Sequence, residues 1–516
     1  MTLLMIAPIL LHVLAACGYA ALGWRPATAW LGAVASAGTL CAAIALAVAT
    51  TDHPRTAIGG LLRADALSAF MLIVIGVVAL LAMLASPGYL AAEVAAGHTG
   101  ERAARRYGIL TQAFVAAMAL AVLAASLGVL WVAVEATTIL TAFLVGHRRT
   151  RQAVEAAWKY VVICSVGIAL ALLGIVLTNY AAVHARVPSA GVLDWAVLAG
   201  HAADLDPGVM RIAVALLVLG FGTKAGLAPM HAWLPDAHGQ APAPVSALMS
   251  GVLLSVAFYA VLRVKVIADI ALGAGFARTL LVIAALASLA VSAALLLAQR
   301  DYKRMLAYSS IEHMGLVALG AAIGTRLAMA AVLLHVLGHG LGKSVLFLAS
   351  GHIHQAYGSS KIAAVGGLTV RAPVLAGAFG LGLLALLGLP PFSLFASELG
   401  IVRAGFSAGL GWAVAAALVL VLLIGASMLS GWRSMLLGTP SPEGAAPLPA
   451  VVTNAAGGAA PPGQATPSPG GTSPRLTWTA AVPLVAGLLA CAVLGVTTGP
   501  LRPLLEAAAT MAGATP

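Results

Sequence analysis

The chain has 516 residues, 61% hydrophobic and 8% charged, with a mean hydropathy of +1.03. A soluble globular chain carries about 25% charged residues, so this composition excludes an ordinary water-soluble domain and describes a polytopic membrane protein. The formal net charge of +11 sits in short loops between apolar runs, the pattern of the positive-inside rule; no basic groove with interleaved aromatics occurs, which excludes nucleic acid as a partner.

Apolar windows of about 20 residues predict an all-α fold of about fourteen transmembrane helices, near 2–22, 28–50, 65–86, 108–124, 127–146, 157–179, 209–237, 244–264, 278–298, 304–323, 327–350, 373–397, 409–431 and 477–498. The first run has no basic leader and no convincing cleavage site, and reads as a retained helix rather than a signal peptide. Residues 1–107 form an N-terminal three-helix segment ending in a basic loop with Arg102, Arg105 and Arg106. The fourth and fifth helices are divided only by a weak break near Ser126.

The seventh and twelfth spans are too long and are interrupted. Pro229 and Pro235 fall in one, and Gly388, Pro390 and Pro391 in the other. Each proline removes an amide donor and clashes with the preceding turn, and bare backbone at membrane depth is tolerated only in protein or beside a water-filled cavity. Two interrupted spans in corresponding places point to two inverted five-helix repeats, about 108–264 and 278–431, and to an ion site. Residues 432–476 are rich in Pro, Gly and Ala; this composition predicts a disordered loop, followed by the last helix and a C-terminal tail at 477–516.

Within these apolar runs stands a sparse set of ionisable residues: Glu135 in the fifth helix, Lys159 in the sixth, Lys224 and His231 in the seventh, His335, His339 and Lys343 in the eleventh, and Glu398 after the second break. A lone charge at mid-bilayer costs roughly 2.5–3.5 kcal/mol on insertion scales, so Lys224 needs partners and reads as a functional residue. His335, His339 and Lys343 follow one another at intervals of four and line one helix face, about 6 Å apart along the axis. Histidine titrates near neutral pH and a buried ammonium gives up its proton more readily than a hydrated one, so the set reads as a proton path. If Glu135 and Lys224 lay about 7 Å apart at an effective dielectric of about 20, their attraction would be roughly 2.4 kcal/mol. A proton crossing about 150 mV carries roughly 3.5 kcal/mol, so one such pair suffices to bias a proton step. The alternatives are a structural ion pair at Lys224 or Glu135, a snorkelling Lys159, core histidines at 335 and 339, a water-boundary Glu398, and structural hydrogen bonding for His231 and His238. Glu312 and His313 read as bracing the tenth helix.

Two motifs fail. His335 and His339 have zinc-protease spacing, but Val336 stands where the general-base glutamate belongs. Gly342-Lys343-Ser344 lacks the leading glycine of a phosphate loop, since Leu337 takes its place. Cys17, Cys41, Cys164 and Cys491 form no CxxC pair and no zinc spacing, and read as packed core thiols. No metal site, cofactor site or redox-catalytic residue is expected.

The segments Lys224-AGLAPMHAWLPDAH and APVSALMSGVLL resemble the antiporter-like subunits of respiratory complex I and its relatives, over roughly residues 60 to 430. YKRMLAYSSIEHMG and HVLGHGLGKSVLFLASGHI are most similar to the hydrogenase-4 component F branch of that superfamily. The resemblance implies an antiporter-like core at 108–431. It matches Glu135 and Lys224 to the family's coupling glutamate and lysine and His335 and His339 to its central-axis histidines, with Lys343 in the same stretch. Two departures stand out: Ser255 occupies the place of the family's eighth-helix lysine, so water or His231 would have to bridge, and the terminal group is Glu398 rather than lysine. The long lateral helix that extends the largest such subunit is not expected here.

The expected function is therefore proton translocation by a non-redox subunit of a multisubunit oxidoreductase of the hydrogenase-4, formate-hydrogenlyase or NADH:quinone type. The alternatives are a subunit of a multicomponent sodium–proton antiporter and a non-conducting scaffold. Expected partners are other membrane subunits of the same complex, antiporter-like ones included, peripheral redox subunits indirectly, and the lipid bilayer. The excess of Arg and Lys on one set of loops places both termini outside an inner cell membrane.

Overall fold

The computed structural model describes residues 1–51, 53–188, 191–438 and 477–515. Helices run α1 Thr2–Leu22, α2 Leu31–Thr50, α3 Ala66–Ala95, α4 Glu101–Leu123, α5 Leu127–Val145, α6 Arg151–His184, α7 Pro207–Lys224 and α8 Trp233–Gln240. They continue as α9 Ala243–Leu272, α10 Ala274–Leu296, α11 Tyr302–Ile323, α12 Arg326–Tyr357, α13 Pro373–Leu386, α14 Ser393–Ser407, α15 Gly411–Leu437, α16 Trp478–Val496 and α17 Arg502–Met511. Among the described residues thirteen helices are long and apolar enough to cross a membrane. The interrupted pair α13 and α14 forms a further crossing.

The ends of these helices follow local chemistry. Asp65, Thr150, Asp206, Asp301 and Thr325 each accept a hydrogen bond from the first turn that they cap, which satisfies amides that a helix start leaves unpaired. Ser126 caps α5 by accepting from the Gly128 amide at 3.2 Å, so the weak break is a true boundary. Residues 101–107, read as part of a basic loop, instead open α4: Arg102, Arg105 and Arg106 extend the amphipathic start of a helix. Likewise 432–437 belong to α15, and the expected disordered loop lies, from residue 439 to 476, outside the described residues.

The bundle has a polar centre and an apolar rim. The apolar stretches of α9, α11 and α12 are buried all round, whereas α1, α15 and α16 lie mostly at the surface. Val34, Val48, Ile212, Leu297, Trp412 and Leu422 are exposed, the outward face expected of lipid-facing helices. Cys17 and Cys41 also lie on this surface, against the expectation of core thiols; Cys164 and Cys491 are buried.

Loops on each face are stitched together by short backbone pairings. Leu62 with Ala124, Ser126 with Asp194 and Thr325 with Thr515 join one face; Asp301 with Lys361 joins the other. Alternation of the crossings predicts the same two sets.

Beneath the first face lies a buried ion pair. Arg263 of α9 donates to Asp65 at 2.7 Å and to Ser68 at 3.1 Å, and its guanidinium stacks 3.8 Å from the Trp195 ring. Both charged side chains are almost fully buried. Burial alone would push the Asp65 carboxyl up; the Arg263 guanidinium, with the Ser68 bonds, outweighs this and holds it below the usual carboxylate range. A carboxyl depressed in the fold contributes stability above its unfolded value of about 3.9 and loses it as pH falls through the folded value. Removing one partner of a buried pair costs roughly 3–5 kcal/mol. Asp65→Asn is therefore expected to lower the thermal unfolding midpoint of the purified chain at pH 7, with the gap to the native chain closing below about pH 4. An unchanged midpoint at pH 7 contradicts this account.

Candidate functional site

The site begins where α7 stops. Small residues let α6 and α7 approach closely: a Cβ on Gly220 would lie 2.6 Å from the Gly167 carbonyl oxygen, and one on Gly174 would meet the Ala213 carbonyl at 2.9 Å. This contact carries Lys224, the last residue of α7, to Tyr160 of α6. Lys224 is fully buried, and its Nζ donates to the Tyr160 hydroxyl at 2.5 Å. Trp233, the first residue of α8, packs edge-on against Tyr160 and donates to the Thr223 carbonyl at 3.0 Å.

The eight residues between α7 and α8, 225–232, carry the first interruption. Gly226 takes a left-handed φ of 77°, and the Ala228–Pro229 peptide is cis. Pro229 lies in the gap, but Pro235 does not break the chain: it sits in the first turn of α8, where an amide would have no helical acceptor in any case. His231 lies in the gap, partly buried.

Glu135 of α5 makes no ion pair with Lys224 within 4.0 Å, yet it lies within electrostatic range of it. Its Oε2 is buried without a protein partner. Lys159 stands apart from this buried set. Its side chain is about half exposed (49%) and pairs with Glu155 at 2.7 Å and Asp236 at 3.2 Å. Asp236 also binds Arg304 at 3.0 Å, so Lys159 ties α6, α8 and α11 together instead of lying in the buried series. It falls one position before Tyr160 and so points away from Lys224.

The residue that the sequence reading undervalued is His238. It was assigned a structural hydrogen bond, but neither ring nitrogen has a protein partner, although the residue is fully buried. Its ring stacks on Phe347 of α12, with centroids 4.9 Å apart, and it lies within electrostatic range of Lys343 and His339. Ser255, at the expected gap, is buried with an unpartnered hydroxyl. The detectable signal was position: His238 follows the break by about one and a half helical turns.

On the far side, α11 and α12 hold a dense polar core. Lys343 donates to the Leu306 carbonyl at 2.6 Å and to Ser309 at 2.5 Å. His313 Nδ1 lies 3.0 Å from His335 Nε2, and His335 Nδ1 lies 3.0 Å from the Ser397 hydroxyl of α14. Ser397 spends its single proton on the Leu394 carbonyl at 2.9 Å. His335 therefore donates from Nδ1 to Ser397 and accepts at Nε2, and His313 donates to it from Nδ1. The His339 ring is centred 5.1 Å from that of His313, and its Nε2 is unpartnered. His313 and Glu312, expected to brace a helix, belong to this cluster: Glu312 is within electrostatic range of Glu398 and Lys343.

Glu398 reaches the cluster through the second interruption, residues 387–392, which contains Gly388 and the cis Pro390–Pro391 peptide. Gly388 has a φ of 62°, and a Cβ there would overlap the Glu398 carboxylate. One further departure from regular α-helix lies at the centre. Met249–Leu253 of α9 forms a π turn, a feature common at functional sites, and there Gly251 and Gly340 bring the backbones of α9 and α12 together.

The structure thus brings together Lys224, Glu135 and Tyr160 on one side and His335, His339, Lys343, His313, Glu312 and Glu398 on the other, with His238 beside Lys343 and His339. Buried polar atoms without partners are rare and call for explanation. Among the described residues such atoms occur at Glu135, His238, Ser255, His339 and Ser393, and also elsewhere in the bundle, at His12, Asp65 and Trp432 among others.

The profile of the family described as NADH:quinone oxidoreductase/Mrp antiporter, TM, matches residues 124–424. A hydrogenase-4 component F homolog of Methylacidiphilum infernorum is 38% identical over 371 residues, covering 72% of this chain and 78% of that one. A chain in the structure of the Mrp complex from Dietzia sp. DQ12-45-1b superposes with a TM-score of 0.81 at 25% identity, covering 99% of this chain and 98% of that one. A chain of respiratory complex I from Thermus thermophilus shares the fold, with a TM-score of 0.73 at 24% identity over 97% of this chain and 99% of that one.

An L-residue in the left-handed region costs about 1–2 kcal/mol, before any clash. Gly388→Ala is therefore expected to lower the thermal unfolding midpoint. Gly377→Ala, in α13 with no atom within 4 Å of the added methyl, should leave it unchanged or raise it. Equal midpoints for the two variants contradict the placement of Glu398 against Gly388.

Proposed function

The chain belongs to the NADH:quinone oxidoreductase/Mrp antiporter transmembrane family, and on that premise we propose that it is the proton-translocating, non-redox membrane subunit of a multisubunit oxidoreductase of the hydrogenase-4 or NADH:quinone type. The observation that carries this reading is the series of titratable side chains from Glu135 of α5 to Glu398 of α14, partly buried at its ends and buried at Lys224, His238, Glu312, His313, His335, His339 and Lys343 between them.

In the proposed path a proton exchanges between Glu135 and Lys224, where Tyr160 holds the ammonium. His238 carries it across the place that Ser255 leaves without a lysine. Its two unpartnered nitrogens suit the task, because a neutral imidazole accepts a proton at one nitrogen and releases one from the other. Lys343 and His339 receive it next. The directed chain His313 to His335 to Ser397 then leads toward Glu398 and the second interruption. Lys159 is a positioning residue: through Asp236 it fixes α8, and with it His238.

The two interrupted spans support two inverted repeats with one half-path each, as interrupted spans at corresponding places do in transporters. The excess of Arg and Lys on the loops opposite the termini supports a multi-pass orientation in a cell membrane with both termini outside. Other antiporter-like membrane subunits would be its neighbours, with peripheral redox subunits supplying the driving reaction.

A second reading, a subunit of a multicomponent sodium–proton antiporter, is favoured by the likeness to the Mrp complex chain. The nitrogen-rich path argues for protons, since ammonium and imidazole groups relay protons but offer an alkali cation few of the oxygen ligands that hard cations take.

In vesicles containing the assembled complex, Lys224→Ala and His238→Gln are each expected to cut redox-driven proton uptake roughly tenfold or more, the scale of losing a proton-transfer group, with assembly preserved. Undiminished uptake in Lys224→Ala removes the reading. Proton flux that needs sodium rather than potassium, without a redox donor, favours the antiporter instead.

A further inference from the structure

The far end of the central cluster has the makings of a metal site that the sequence does not disclose. His313 of α11, His335 of α12 and Glu398 of α14 each present one ligand atom, and these atoms lie within 4.8 Å of one another. We propose that His313, His335 and Glu398 form a three-ligand binding site for a divalent transition metal, zinc(II) above all, with the fourth position left to water.

The geometry is close to what a tetrahedral ion needs. Zinc–nitrogen bonds of about 2.0–2.1 Å place neighbouring ligand atoms about 3.3 Å apart. His313 Nδ1 and His335 Nε2 are already 3.0 Å apart. Glu398, on the half-helix that follows the break, closes the set with a side-chain adjustment of an ångström or so. His339 has a buried Nε2 with no protein partner, in a ring centred 5.1 Å from that of His313.

The surroundings match a metal site in two further ways. A metal-bound histidine is held by a hydrogen bond from its other nitrogen, and His335 has that partner: Nδ1 meets Ser397 at 3.0 Å, which the Leu394 carbonyl orients in turn. Charge is the second. Glu312, buried at 4%, lies within electrostatic range of Glu398, and a buried charge is costly unless paired. A divalent ion would balance Glu398, while Lys343 lies within range of Glu312. The mixed nitrogen and oxygen donors select zinc or cobalt over magnesium or calcium, which take oxygen.

The ligand set stands without the transport reading; only its consequence, a blocked proton path, rests on it. Binding can therefore be read directly on the purified full chain, with cobalt(II) alone as the probe. The native chain is expected to bind one cobalt ion with the visible absorption of a tetrahedral site and to exchange it for zinc. Glu398→Gln, nearly isosteric, and His335→Gln should each weaken binding tenfold or more. His201→Ala, which removes an exposed histidine beside Asp204, should not. Should His335→Gln fail to fold, Glu398→Gln decides. A native chain without the tetrahedral spectrum, or an unchanged affinity in Glu398→Gln, overturns the site. Zinc that binds there and leaves proton flux intact would overturn the transport path while the site stands.

Discussion

Hydrocarbon offers no hydrogen bonds, so every backbone amide and carbonyl at membrane depth must find its partner within the protein. The whole architecture answers to that constraint, and its two departures from continuous helix are where the chemistry collects. At the first, the freed Ala228 amide donates to Ser288 of α10 at 2.9 Å, and the Leu227 amide returns to the Gly222 carbonyl at 2.9 Å. At the second, the Phe392 amide reaches the Leu389 carbonyl at 3.1 Å, and the Leu389 amide the Leu384 carbonyl at 3.2 Å. Each gap finds hydrogen-bond partners within the protein, and each has a charged or titratable residue near it: Lys224 at one, Glu398 at the other.

The same accounting separates two kinds of buried charge. Arg263 with Asp65, and Arg148 with Glu93 at 2.8 Å, are closed ion pairs near the two faces, and they join helices distant in sequence. The central groups are held differently. Lys224 rests on a phenol, Lys343 on a carbonyl and a hydroxyl, and His238 on an aromatic ring. No carboxylate lies within 4.0 Å of either lysine among the described residues. A closed ion pair locks a proton in place; a neutral partner leaves it exchangeable. The closed ion pairs and the central groups thus differ in the nature of the partner rather than in depth alone.

Much of this was legible in sequence. The crossings, both interruptions and the buried lysines, histidines and glutamates follow from hydropathy, from proline and from the cost of charge in lipid. Lys159 shows the limit: its position in an apolar helix marks it as costly, yet only the packing of α8 against α6 reveals Asp236 as its partner. His238 shows the converse. One histidine near a helix end carries no distinguishing signal until its ring is seen buried against Phe347 with both nitrogens unpartnered. Glu312 and His313 were assigned to bracing for the same reason, since the residues facing them lie on α12 and α14.

By itself the sequence determined the solvent, the number of crossings, the places where helices stop and the inventory of groups able to hold a proton, because these depend on hydropathy and backbone chemistry along the chain. The tertiary structure alone decided which of those groups meet. Helix faces are brought together by small residues such as Gly167, Gly220, Gly251 and Gly340, and by the rotation each half-helix adopts after its break. The pairing of Lys224 with Tyr160, the place of His238 against Phe347 and the convergence of His313, His335 and Glu398 all depend on contacts between residues far apart in the chain, which no local periodicity encodes.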